Sequence, residues 1–363
     1  MKRTVLLAVI AMILIFGNTL AKNPEKKETN NFPSWNKNFN DPAKGFFCID
    51  DLKNYIHQVT NSGNKKSFIP VPDRVAVFDM DGTLACEWPF SMELYCAYNL
   101  AFDKELNCSD DKSKVQQSVL DAFNAYLPGL TSDSLVRWAQ KTTTKIENHC
   151  IPHYSPQQKV LSELFYQPMI EVIEYLLKYD FKVYIVSGSS QQFIWGIVQN
   201  VPTLSTLEPS HIIGSLQKYK KFDHRKGKGP RFYLDSANFL SNVSQGKAIN
   251  IYNRIGKKPV IAFGNTVNDF DMFSYTSYNN KYKTLCVLIN HDSNALEAEY
   301  LPFDKNKKVC KNWNEPPYCE ENWNLKIFHE IMQNQDWKVA NISKCFNPES
   351  VFVKSPKKQI VQK

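Results

Sequence analysis

Several absences narrow what this chain can be. No two of its nine cysteines form a C-x-x-C pair, which excludes a zinc ribbon and a thioredoxin-type redox site. Beyond Phe16 no apolar run is long enough to cross a bilayer, so no stable membrane insertion is expected of the folded part. There is no internal repeat and no RNA- or DNA-binding motif, so no nucleic-acid partner is expected. Charge of one sign is not extreme either. The formal +8 includes Lys2 and Arg3, and without them it is +6 (8 − 2), a balance that suits an anionic ligand without demanding a polyanion.

What is present fits an exported α/β protein. With 363 residues, 43% of them apolar, the chain can build one substantial core and a smaller accessory domain. Residues 1–21 read as a signal peptide: Lys2-Arg3, an apolar stretch from Val5 to Phe16, and the small-residue cleavage site Thr19-Leu20-Ala21. The expected location is therefore periplasmic or secreted. All nine cysteines follow that segment, so disulfides are plausible. Cys310 and Cys319, flanking a proline-containing loop, form the best candidate pair, and the odd count leaves at least one thiol over.

The chain is organised around Val75-Ala76-Val77-Phe78-Asp79-Met80-Asp81-Gly82-Thr83-Leu84. Four consecutive apolar residues predict a strand buried on both faces, the signature of a parallel sheet. It runs into two aspartates at a sheet's carboxyl edge, where open α/β sheets place ligands. Like charges so close call for a counter-ion, and Mg²⁺, which prefers oxygen donors, answers best. Three later stretches agree. Lys182–Val186 predicts a strand ending at Ser187-Gly188-Ser189-Ser190 before a helix, a turn that aims amide N–H groups and a hydroxyl at an anion. Gln245-Gly246-Lys247 opens a helix, and Pro259–Gly264 predicts another buried strand, ending in Asn265-Thr266-Val267-Asn268-Asp269.

Together these runs resemble the four motifs, in order, of the haloacid dehalogenase superfamily, and Gly82-Thr83-Leu84-Ala85-Cys86-Glu87-Trp88-Pro89 resembles a phosphoserine-phosphatase-like branch of exported bacterial hydrolases. The resemblance spans about residues 74–292. It implies a doubly wound, mostly parallel Rossmann-like α/β core with an inserted helical cap, and a Mg²⁺-dependent phosphomonoesterase acting on a small phosphorylated substrate, phosphoserine- or phosphocholine-like. Asp79 would be the nucleophile and Asp81 the general acid/base. Ser187, the Gly188 amide and Lys247 would bind phosphate, with Lys247 neutralising the nucleophile. Asp79, Asp81 and Asn265 or Asp269 would hold the metal. Asn265 departs from the aspartate many relatives carry, and which of Asn265 and Asp269 binds directly is left open. Glu87 would contact the substrate or a water. A non-catalytic phosphate- or metal-binding protein and a phosphotransferase are the alternatives.

The expected organisation is a lead-in and helix over 22–70, core over 71–88, helical cap over 89–166, core over 167–300, and a C-terminal segment with a basic tail over 301–363. Within it, 211–240 reads as turns and short strands forming a basic hairpin, Thr284–Ile289 as a strand that widens the sheet, Trp337–Ile342 as an edge strand, and Leu325–Met332 as a short helix. His149 and His153 have the spacing of a helical zinc pair, but Pro152 argues for surface histidines. Asp271 is expected to face solvent, and oligomeric state is not legible.

Overall fold

The computed structural model describes residues 32–36, 46–87, 90–102, 111, 114–115, 117–121, 129–146, 160–223, 231–292 and 337–353. The described residues form one compact unit. The signal-peptide segment, His149, His153, the Cys310–Cys319 pair and the helix expected over Leu325–Met332 lie outside the described residues.

Seven strands form one sheet: β1 Val75–Phe78, β2 Lys182–Ser190, β3 Ile212–Asp223, β4 Arg231–Leu240, β5 Ile261–Gly264, β6 Leu285–Asn290 and β7 Trp337–Asn341, in the order β4-β3-β2-β1-β5-β6-β7. Every pair is parallel except β3/β4. Connections from β1 run towards β2 and β3, whereas those from β5 run towards β6 and β7. The order thus reverses at the β1/β5 boundary, where a doubly wound sheet opens its crevice. The expected fold class, α/β and mostly parallel, is what the sheet shows.

The continuous apolar runs have a direct cause. Ala76 and Phe78 pack into one core cluster with Leu52 and Ile56 of the helix Ile49–Thr60 and Ile170 and Ile173 of the helix Gln167–Lys178. Val75 and Val77 point the opposite way, into a cluster with Ile251 of the helix Gln245–Ile255 and Met272 and Phe273 of the helix Phe270–Ser277. With both faces covered, alternation has no selective value, so the strand reads as uninterrupted hydrophobe. Phe78 stacks on Phe263 of β5, ring centroids 4.9 Å apart and planes 4° from parallel. Burying a side chain of that size contributes about 1.5–3 kcal/mol, so this contact helps fix the β1/β5 register beneath the site.

Between β1 and β2 the described residues hold the helices Met92–Phe102 and Ser132–Thr142. Thr131 caps the second, its hydroxyl accepting from the Ser134 N–H at 3.1 Å. That helix leans on the β3/β4 arm: Leu135 and Leu234 form a small core with Leu130 and Trp138 packed on it. Three sequence expectations need adjustment. The strand at Lys182 does not stop before Ser187 but continues to Ser190, with its register to β3 shifted between Val186 and Ser190. In place of short strands and turns, 212–240 holds two long antiparallel strands whose pairing absorbs two register shifts. Asp271 is half-buried rather than solvent-facing, and burial raises its pKa. Cys48, Cys96 and Cys345 are free thiols, in keeping with an odd cysteine count that leaves at least one unpaired. β6 widens the sheet and β7 lies at its edge, as expected.

Candidate active site

The carboxyl ends of β1 and β5 deliver the first groups. The Asp79 amide donates to the Phe263 carbonyl at 2.9 Å, which continues the ladder one residue past β1 and fixes where its side chain emerges. The chain then coils tightly. Thr83, Leu84 and Ala85 all donate to the Met80 carbonyl, and Gly82 donates to the Ala85 carbonyl at 2.7 Å. Gly82 has φ +74°, a left-handed conformation that explains glycine after the second aspartate. Its carbonyl is held by His291 Nε2 at 2.7 Å, from beyond β6.

Lys247 lies in the first turn of the helix Gln245–Ile255 and is 2% exposed. Its Nζ is 2.7 Å from Asp79 Oδ1 and 2.6 Å from Asp269 Oδ1. The entry to that helix is strained, since Ser244 has φ +48°, and its hydroxyl donates to Asn268 Oδ1 at 3.0 Å across the site. Asp269 spends its second oxygen on two backbone donors, the amides of Asn265 at 2.9 Å and Thr266 at 3.1 Å. Gly264 makes this possible: a Cβ there would stand 2.5 Å from Asp269 Cβ and Cγ.

The electrostatics follow from counting. Three carboxylates, Asp79, Asp81 and Asp269, share this buried corner, and one ammonium touches two of them. Burial alone would lower the Lys247 pKa, but Asp269 and then Asp79 outweigh it and hold it raised, so the lysine stays charged. Asp79 is pushed well above the carboxylate range, by burial first and by Asp269 second, against the pull of Lys247. The corner therefore carries an excess of negative charge that a divalent cation would relieve. Burial likewise raises Asp81, with the Ser189 hydrogen bond opposing it.

The turn at the end of β2 faces these groups. Ser187 is fully buried and its hydroxyl accepts from the Ser189 amide at 3.1 Å. Ser189 Oγ donates to Asp81 Oδ2 at 2.9 Å, whereas Asp81 Oδ1 is buried with no hydrogen-bond partner. Beneath the turn, Asn242 donates to the carbonyls of Ser187 at 2.8 Å and Ile213 at 2.9 Å, and Ser215 Oγ donates to the Gly188 carbonyl at 2.7 Å. The turn's carbonyls are thus pinned away by Asn242 and Ser215. From the helix Met92–Phe102, Glu93 accepts from the Ser190 amide at 2.8 Å and ties that helix to the turn. Glu87 reaches Asn265, whose Nδ2 donates to Glu87 Oε1 at 3.0 Å, and Thr83 Oγ1 donates to Asn265 Oδ1 at 3.2 Å.

The residues given a catalytic, phosphate or metal role from sequence all lie among the described residues. Asp79, Lys247, Asp269, Asn265 and Glu87 form one network with Thr83, while Asp81 bonds to Ser189 in the adjoining turn that holds Ser187 and Gly188. Sequence reasoning passed over Ser189, Asn242, Glu93 and Thr83. Ser189 could have been weighed, because it stands two residues past Ser187 in the same hydroxyl-rich turn. Nothing local marks Asn242.

Among the described residues no three His, Cys, Asp or Glu side chains group as a metal cluster. The oxygens near this corner are nonetheless of the kind Mg²⁺ takes, among them a carboxylate from Asp79 and the Asn265 amide oxygen, beside excess negative charge. Such a set fits a hard cation that keeps part of its water shell.

No protein-family model matches the chain, and no curated protein matches it. Solved structures align with it at low similarity. A conserved protein of unknown function from Anaerococcus prevotii DSM 20548 is 12% identical, with TM-score 0.44, over 70% of this chain and 88% of that one. A phosphoserine phosphohydrolase-like protein from Francisella tularensis subsp. tularensis SCHU S4 is 14% identical, with TM-score 0.34, over 61% and 89%. Cytosolic 5'-nucleotidase IIIB bound to cytidine is 10% identical, with TM-score 0.36, over 68% and 81%. Likeness of this size does not bear on activity, so the functional reading rests on the site's own geometry.

Proposed function

We propose that this chain is an exported phosphomonoester hydrolase of the haloacid dehalogenase type, working through an aspartyl-phosphate on Asp79. The observation that carries the reading is the Asp79–Lys247–Asp269 triad at the β1/β5 switch point, with Asp81 and the Ser187–Ser190 turn around it.

Lys247, the Ser187 hydroxyl and the Gly188 amide bind the phosphate oxygens and orient phosphorus for attack by an Asp79 carboxylate oxygen. As the oxygen–phosphorus bond forms, the bond to the leaving alcohol breaks. Asp81 in its acid form, which burial favours by raising its pKa, gives that alcohol its proton. In the second step the Asp81 carboxylate takes a proton from water, whose oxygen attacks phosphorus. Inorganic phosphate departs and Asp79 is restored. Ser189 holds Asp81 by one oxygen and leaves Oδ1 for the proton. Lys247 stabilises charge on the transferring phosphoryl group without reorganising, since Asp269 fixes it. Mg²⁺, held by Asp79, the Asp81 carbonyl and Asn265, would add Lewis-acid stabilisation of the same charge. Asp269, with its oxygens given to Lys247 and two amides, acts as a positioning residue.

The test is hydrolysis of p-nitrophenyl phosphate and a panel of small phosphomonoesters, phosphoserine and phosphocholine among them, with Mg²⁺. Turnover lost on Asp79→Asn supports the reading. Phosphate binding without turnover points instead to a binding protein, and phosphoryl transfer to added alcohols in preference to water points to a phosphotransferase.

A further inference from the structure

Resting on that reading, we propose that Asn242 is a positioning residue of the phosphate site: it aims the Gly188 amide at the phosphoryl group and ties the phosphate-binding turn to the helix that carries Lys247. Asn242 lies just past the end of β4 and is fully buried. Its Nδ2 donates to the Ser187 carbonyl at 2.8 Å and to the Ile213 carbonyl at 2.9 Å, while its Oδ1 accepts from Asn250 Nδ2 at 2.9 Å. A carbonyl accepts and cannot donate, so these contacts fix which end of the Asn242 amide is nitrogen. Its backbone N–H donates to Ser215 Oγ at 2.9 Å, the same hydroxyl that holds the Gly188 carbonyl.

The side chain fills a gap in the sheet. Regular pairing of β2 with β3 lapses between Val186/Ile213 and Ser190/Ser215, and there Asn242 bridges carbonyls of the two strands. The Ser187 carbonyl is therefore drawn to the β3 side. Across a planar trans peptide the carbonyl and the following N–H point in opposite directions, so the Gly188 N–H is turned to the β1 side. Pairing of β1 with β2 ends at Phe78/Ile185, so that N–H looks past the end of β1, where the chain delivers Asp79 and Asp81. The next hydroxyl of the turn marks the same side, since Ser189 Oγ donates to Asp81 Oδ2 at 2.9 Å. The second link runs through Asn250, which follows Lys247 by one turn in the helix Gln245–Ile255. One asparagine thus couples two groups that must grip a phosphoryl group together, an amide on β2 and an ammonium on that helix.

The test is titration with inorganic phosphate in the presence of Mg²⁺, followed by nuclear magnetic resonance on chain labelled with carbonyl-¹³C serine and ¹⁵N glycine. The sequence has Ser-Gly pairs only at Ser62-Gly63 and Ser187-Gly188, so the label selects those two amides, and Gly63, in an exposed turn, is the reference. Phosphate is expected to move the wild-type Gly188 amide proton downfield and to leave Gly63 in place. Asn242→Ala removes both donations, and Asn242→Asp sets a carboxylate against two carbonyls. Each should lose the Gly188 shift and bind phosphate about 10–100-fold more weakly, the worth of one hydrogen bond to a charged group. Melting temperatures serve as the folding control. A variant with a lowered melting temperature but an unchanged Gly188 shift and phosphate affinity overturns the proposal, because Asn242 is then structural only. If neither Asn242 variant folds, Asn250→Ala decides: it frees the acceptor end of Asn242, and phosphate affinity and a Gly188 shift equal to wild type overturn the proposal. A wild-type Gly188 amide that phosphate does not move also overturns it, while the phosphatase reading stands on turnover. Absence of p-nitrophenyl phosphate turnover in the wild type defeats the phosphatase reading instead.

Discussion

Removing the nucleophile should make this protein more stable. Lys247 sits between two buried carboxylates, 2.7 Å from Asp79 and 2.6 Å from Asp269, so the triad holds one more negative charge than positive. Asp79→Asn keeps an acceptor for the ammonium and removes the excess charge, leaving Lys247 and Asp269 as a matched pair. A gain of about 0.5–2 kcal/mol is the usual size when an active site's built-in conflict is relieved, and about 2–4 °C in Tm accompanies each kcal/mol in a domain this large. The other two members should behave oppositely. Lys247→Met strands two like charges in the interior, and breaking a buried pair costs about 3–5 kcal/mol. Asp269→Asn places an amide N–H₂ against the backbone donors of Asn265 and Thr266 or gives up the ion pair. Differential scanning calorimetry in EDTA at neutral pH measures all three. The expected order is Asp79→Asn above wild type, and Asp269→Asn and Lys247→Met below it. A destabilised Asp79→Asn, or a Lys247→Met variant as stable as wild type, would refute the charge count.

Gly264→Ala should cost about 1–3 kcal/mol by overpacking, because the new Cβ would stand 2.5 Å from the Asp269 side chain; turnover should fall with Tm as Asp269 is displaced from Lys247. Ser189→Ala removes the hydroxyl that holds Asp81 and should lower kcat about tenfold, a part of the roughly 10²–10⁴-fold that a general acid supplies, with KM little changed in steady-state assays. Glu171 is a buried carboxylate away from the site, accepting from the Ser34 amide at 3.1 Å with its other oxygen unpartnered, and burial raises its pKa. A raised folded-state pKa contributes stability below the unfolded value, about 4.3 for glutamate, and that contribution is lost as pH rises through the folded value. Glu171→Gln keeps the acceptor without the charge. Its Tm should therefore exceed that of wild type at neutral and alkaline pH and converge with it in acid; the opposite pH trend would contradict the assignment.

The strands that build the site were legible because burial on both faces writes itself as uninterrupted hydrophobe, as at Val75–Phe78 and Ile261–Gly264. The Asp79-Met80-Asp81-Gly82 run was legible for a second reason, since only glycine suits the left-handed turn behind the aspartates. What escaped was set by contacts between distant segments. Asn242 fixes the Ser187 carbonyl from 55 residues away, and no local pattern distinguishes it from a surface asparagine. The alternation at Arg231–Leu234 suggested short strands, yet β3 runs through 12 residues because Ile212–Ser215 pairs with β2 before the exposed arm begins. Glu87 was visible as a carboxylate near the motif, but its partner became apparent only when β1 and β5 were laid side by side.

The central claim is that phosphoryl groups pass through Asp79. Rapid acid quenching during turnover of p-nitrophenyl phosphate with Mg²⁺, followed by peptide mass spectrometry, tests it most directly. The account predicts a phosphoryl adduct on the peptide carrying Asp79, localised to that residue and absent from Asp79→Asn. Turnover with no adduct at Asp79, or with the adduct on another side chain, would contradict it.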